Sequence, residues 1–297
     1  MPASLDLSPC FAPNWLPERH SQTLFGALAA PTNRLRFARK RVDTPDGDFI
    51  DVDWALPGLA AHPTRSQEGG LSHTAAARWL TNAEQQKLRD ATPTPALLLF
   101  HGLEGSSGSR YSQSIATYFK TKGWILAIAH FRGCSGFANR LARAYHSGDS
   151  AEIGFILSTV RQQVPQARWH AAGVSLGGNA LLKYLGEYGT QLAWLCGAAA
   201  ISAPIDLVAA GNHLSDNTFN REVYSRHFYA LSNPKCLRRH ADIPASLMYS
   251  KSTRHATCAT SITLTQHPCT ALKMPLITGH NPPANPGSKR LSHRRWS

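Results

Sequence analysis

Five residues, Gly173-Val174-Ser175-Leu176-Gly177, pose the chemical question in this chain. A serine in a G-x-S-x-G pattern can act as a nucleophile when its backbone turns sharply from a strand into a helix, because that turn holds the hydroxyl at the tip of a sheet. Glycine is needed on both sides, since a Cβ there would crowd the turn. The flanking residues suit this context. Trp169-His170-Ala171-Ala172 reads as a short buried strand, and Gly178-Asn179-Ala180-Leu181-Leu182 as the first turns of a helix. The plain alternative is a glycine-rich turn whose serine caps the helix.

A serine that attacks a carbonyl also needs two backbone N–H groups aimed at the oxygen where negative charge develops. Each such donor is typically worth about 3 kcal/mol of transition-state stabilisation. One comes from the residue after the nucleophile, here Leu176, and the other from the loop after an earlier strand. Residues 96–100 form an apolar strand that runs into His101-Gly102-Leu103-Glu104-Gly105-Ser106-Ser107. The second donor is therefore expected at Leu103.

These residues need a sheet to hold them. Residues 48–55 alternate as a strand does, and 57–95 read as an inserted surface loop with one helix near 75–89. After the strand 96–100 come a helix at 111–122, a strand at 124–129, a helix at 150–163 and the elbow. Residues 195–201 make a fifth strand. Strands alternating with helices predict an α/β fold, a mostly parallel sheet with helices on both faces.

The 297 residues suffice for one large domain, and 42% hydrophobic content is ordinary. No run of 18 apolar residues is present to span a membrane, and residues 1–10 lack the pattern of a secretory signal. Six scattered cysteines, with no C-x-x-C pair, predict reduced thiols in a cytoplasm and argue against a zinc site. The net charge of +13 is concentrated late, with nine Lys/Arg against one Asp/Glu from residue 236 onward. The body is only mildly basic and carries no aromatic-interleaved basic motif, so no nucleic-acid partner is expected. A polyanion-binding tail is the alternative of a different class, and its binding would be weak and salt-dependent.

Five segments together resemble the YheT-type hydrolases of the α/β-hydrolase fold, a group related to abhydrolase-domain carboxylesterases and phospholipases. They are Trp15-Leu16-Pro17-Glu18-Arg19-His20-Ser21-Gln22-Thr23, the 101–107 loop, Arg132-Gly133-Cys134-Ser135-Gly136, Tyr145-His146-Ser147-Gly148-Asp149, and residues 173–182. With Ser202-Ala203-Pro204-Ile205-Asp206-Leu207 the resemblance runs from residue 11 to about 235. It implies a serine hydrolase acting on short-chain or lipid-like carboxylic esters, without metal or cofactor. Ser175 matches the nucleophile, and the backbones of Leu103 and Leu176 match the oxyanion hole. His20, Gln22, Arg132, His146 and Asp149 match recurrent positions, for which a structural role is expected. Glu104 is either a pocket residue or a solvated loop carboxylate.

The pattern breaks after about residue 235. A serine needs a base held by an acid, in the chain order Ser, Asp/Glu, His for this fold. Beyond that point stand one acid, Asp242, and five histidines, His240, His255, His267, His280 and His293, none in a family-like setting. Residues 1–240 are expected to hold the domain, with its last strands missing, and 241–297 a divergent, disordered tail. The tail reads as the family's own sequence in a shifted frame, with a slip between about Leu237 and Ile243. The gene sequence around codon 240 decides this. The alternative function is then an inactive member lacking the acid and the base. Rescue by Asp206 and His280 is weighed against a helix-capping role for Asp206. Loss of the last strands would leave the strand at 195–201 with an unpaired apolar edge.

Overall fold

The apolar run at 96–100 has no polar alternation, so it must be covered on both faces. In the computed structural model it is β4 (Pro95–Phe100), buried inside a seven-stranded sheet. The structure describes residues 11–29, 35–56, 77–141, 143–215 and 218–225. Across the sheet the order is β3 (Ala77–Trp79), β1 (Phe37–Asp43), β2 (Phe49–Ala55), β5 (Ile125–Ala129), β4, β6 (Arg168–Val174) and β7 (Gly197–Ile201). The strands β5, β4, β6 and β7 run parallel. At the other end β2 joins both β5 and β1 antiparallel, and β3 lies parallel to β1. This is the expected α/β architecture.

Parallel neighbours need crossover connections, and helices supply them. On one face, α3 (Arg110–Thr121) packs Ala116 over Phe37, Leu97, Leu99, Leu126 and Ile128. On the other, α4 (Ser150–Gln163) and α5 (Leu176–Tyr188) bring Ile153, Ile156, Val160 and Leu181 against Trp54, Leu98, Phe100 and Trp169. The helix α1 (Arg19–Leu28) is capped by Glu18, whose carboxylate accepts from Ser21 N. The chain then reaches α6 (Leu207–Ser215) and a π-helical turn, Asn220–Ser225.

Three expectations change. The strand β1 was not anticipated. It pairs with β2 through a turn in which Thr44 N donates to Asp48 O and Gly47 has φ +83°. Second, all of β2 is buried, where alternation ordinarily marks a half-buried strand. Third, the expected loop at 57–95 is narrower. Residues 77–79 are a sheet strand, and α2 (Asn82–Arg89) opens with a capping box between Thr81 and Glu84. Leu88 of α2 is buried in the core, which is why this part folds with the body. Residues 57–76, and the tail expected at 241–297, lie outside the described residues.

Candidate active site

The strand β6 ends at Val174 and α5 begins at Leu176, so a single residue makes the turn. That residue, Ser175, has φ 51° and ψ −118°. A side chain in this region costs on the order of 1–3 kcal/mol, so the surroundings must impose it. Ser175 N donates to Ile201 O at 2.8 Å, and Asn179 N donates to Ser175 O at 3.0 Å. Backbone also presses on backbone. A Cβ on Gly173 would lie 2.5 Å from Gly177 O, and one on Gly177 would lie 2.6 Å from Phe100 O. The elbow is thus wedged against the end of β4. Ser175 makes no capping bond to α5, which removes the helix-cap alternative.

The loop after β4 lies beside this turn. A Cβ on Gly102 would sit 3.3 Å from Ser175 Cβ and 3.4 Å from Val174 O. Ser175, Leu176 and Leu103 are all half-buried. Among the described residues, neither Leu103 N nor Leu176 N meets an acceptor, and the Ser175 hydroxyl has no hydrogen-bond partner. A half-exposed hydroxyl beside two open N–H donors on converging loops is an arrangement able to bind a carbonyl and attack it.

The far end of the loop is tied to the sheet. Ser107 Oγ donates to Asp53 Oδ2 at 2.6 Å, and Asp53 also binds Arg39 through Nε at 2.6 Å and Nη2 at 2.8 Å. His130 Nε2 lies 2.9 Å from the same carboxylate. All four residues are buried. Burial pushes the Asp53 carboxyl up, yet His130 and the Arg39 guanidinium beside it hold it below its ordinary value. The alternation of β2 gave no sign of this network, because alternation ordinarily marks a half-buried strand.

The other family-like positions have structural partners. Arg132 is buried and binds Asp48 through Nη1 at 2.9 Å and Glu152 through Nε at 2.6 Å. Asp149 caps α4 by accepting from Glu152 N at 3.1 Å. His146 Nδ1 accepts from Gly148 N at 3.1 Å. His20 and Gln22 lie on α1, where the His20 ring meets Phe219. Tyr145 donates to Glu104 Oε1 at 2.9 Å, so Glu104 is a bonded loop residue rather than a solvated one.

No histidine among the described residues bonds Ser175. His101 Nε2 accepts from Phe131 N at 3.1 Å, which places its proton on Nδ1, 2.8 Å from Gly102 O. His130 is committed to Asp53 and Cys134 O. Asp206 accepts from Val208 N and Ala209 N, both at 2.9 Å, so it caps α6 as the helix-cap alternative required. His280, Asp242 and the other late histidines lie outside the described residues.

Over 228 residues the chain is 31% identical to YheT of Escherichia coli strain K12, an esterase by name, covering 77% of this chain and 57% of that protein. The chain is related to the YheT-type α/β-hydrolases. A monoacylglycerol lipase of Saccharomyces cerevisiae is 25% identical over 218 residues, 69% of this chain and 48% of its own length. The chain thus spans about half the length of the curated relatives it matches. No family model matches it. Among solved structures, an esterase of Pyrococcus furiosus overlays with a TM-score of 0.43 at 13% identity, covering 66% of this chain and 62% of that one. Among the described residues no helix is long and apolar enough to cross a membrane. No group of three or more His, Cys, Asp or Glu among them is placed to hold a metal ion.

Proposed function

We propose that the chain is a serine hydrolase of carboxylic esters, short-chain or lipid-like, working through an acyl-enzyme on Ser175. The observation that carries this reading is the positive φ of Ser175, which presents an unbonded hydroxyl next to the loop of Leu103. The Ser175 oxygen bonds to the ester carbonyl carbon while the carbonyl oxygen gains charge against Leu103 N–H and Leu176 N–H. The alcohol departs with a proton, and water then releases the acid and restores the serine. The substrate is a small ester, not nucleic acid. Neither Cys134 nor Cys196 is in a disulfide among the described residues, which fits a cytoplasmic site of action.

A second reading is an elbow retained without a working base. What favours it is that no imidazole among the described residues reaches Ser175. A fluorophosphonate probe separates the two, because the serine oxygen must displace fluoride from phosphorus. The hydrolase reading expects rapid labelling of the wild-type chain and turnover of p-nitrophenyl acetate. Ser175→Ala should abolish labelling and lower turnover about a thousandfold or more. A wild-type chain inert to both reagents leaves only the second reading.

A further inference from the structure

We infer that Tyr111 and Tyr145 are positioning residues that aim the Leu103 N–H, an inference that rests on the proposed serine-hydrolase reading. The loop that carries Leu103 contains Gly102, Gly105 and Gly108, so its own sequence leaves it pliable. An oxyanion donor works only if it is held in place before the charge appears. Two phenol oxygens from separate parts of the chain provide the hold.

The local geometry is a four-residue turn. Gly105 N donates to Gly102 O at 2.9 Å, with Leu103 and Glu104 at its corners. Glu104 has φ 54°, a conformation that favours glycine at the third position of such a turn. Tyr145 compensates for the wrong residue type. Its Oη accepts from Glu104 N at 2.8 Å and donates to Glu104 Oε1 at 2.9 Å. Tyr111, in the first turn of α3, accepts from Gly102 N at 2.9 Å. A Cβ on Gly105 would collide with the Tyr111 hydroxyl, so the loop lies directly on it.

The N–H groups of the turn are therefore allotted. That of Gly102 goes to Tyr111, that of Glu104 to Tyr145 and that of Gly105 to the turn itself. The N–H of Leu103 remains, on the turn that packs against Ser175. The Tyr145 ring stacks on Phe131 at 5.2 Å with 7° between planes, and Phe131 stacks on Phe100 at the end of β4. The hold is thereby referred to the same strand end that wedges the elbow. Burial pushes both phenols above their ordinary pKa, which keeps the Tyr145 O–H available to Glu104.

Tyr145→Phe and Tyr111→Phe, made in the full chain, test this with Tyr118→Phe, an exposed tyrosine of α3, as control. Each clamp variant should lower kcat for p-nitrophenyl acetate about tenfold with KM within about twofold, and the double variant should fall further. Melting temperatures should fall by no more than several degrees, the effect of stranding one turn N–H. If one variant fails to fold, the other carries the test from a different element; failure of both overturns the inference in favour of a purely structural role. Unchanged kcat in both, with wild-type turnover still lost in Ser175→Ala, overturns the clamp and leaves the hydrolase reading standing. A wild-type chain without turnover or probe labelling overturns both.

Discussion

Ser175 keeps a side chain where the backbone would rather have glycine, and that tension has a measurable size. Ser175→Gly and Ser175→Ala both remove the hydroxyl, but alanine retains the Cβ that makes φ 51° unfavourable. Glycine offsets part of its advantage through greater freedom in the unfolded chain. The glycine variant should still be more stable than the alanine variant by about 1 kcal/mol. Equal thermal melting of the two would remove the strain from the argument. At this scale the sharp turn at Ser175 was legible because G-x-S-x-G constrains backbone as well as residue type. The expectation at Leu176 followed from its place after Ser175, and that at Leu103 from the loop after the apolar strand 96–100. Tyr111 and Tyr145 were not legible, because where a phenol oxygen comes to rest depends on how α3 and the segment before α4 pack around the loop. Nothing adjacent in sequence reports that.

The hairpin of β1 and β2 is the element on which the loop's far end depends. Its register places Arg39 opposite Asp53 and Arg41 opposite Asp51, so charges cancel across the strands. This is also why β1 was missed. Phe37-Ala38-Arg39-Lys40-Arg41-Val42-Asp43 looks solvated when read alone. The usable signal was joint: spaced arginines and spaced aspartates on either side of Asp46-Gly47. Removing one buried partner strands the other. Asp53→Asn should cost roughly 3–5 kcal/mol because Arg39 stays buried without its counter-ion. The pH dependence has a definite sign. Asp53 has its folded pKa held below the unfolded value of about 3.9, so its stabilisation is complete above that pH and is lost as pH falls through and below it. Thermal melts from pH 6 down to pH 3 should show the wild type losing its advantage over Asp53→Asn below about pH 4. A constant gap between the two across that range would contradict the assignment.

For the molecule as a whole, the order of strands and helices from β4 to β7 was readable because each apolar run was long enough to need cover and short enough to be a strand. Among the described residues β7 pairs only with β6, and Ala198–Ile201 is exposed. Ala199 and Ile201 stand in register beside Ala172 and Val174 and border a groove of about 340 Å³ with Leu97, Phe119 and Trp124. Opposing this apolar end is the net charge of +13, which should keep copies of the chain apart at low ionic strength. At physiological salt the screening length shrinks to about 8 Å, so repulsion between whole molecules fades while edge-to-edge pairing does not. Self-association should therefore rise with salt. A single charge on the edge, Ala199→Lys, should suppress it, because a lysine beside the groove cannot be buried between two strands without losing its hydration. Sedimentation velocity over a salt series reads both effects. If Ala199→Lys associates as strongly as wild type at high salt, contact between copies runs through another surface and the β7 edge is not what limits the solubility of the chain.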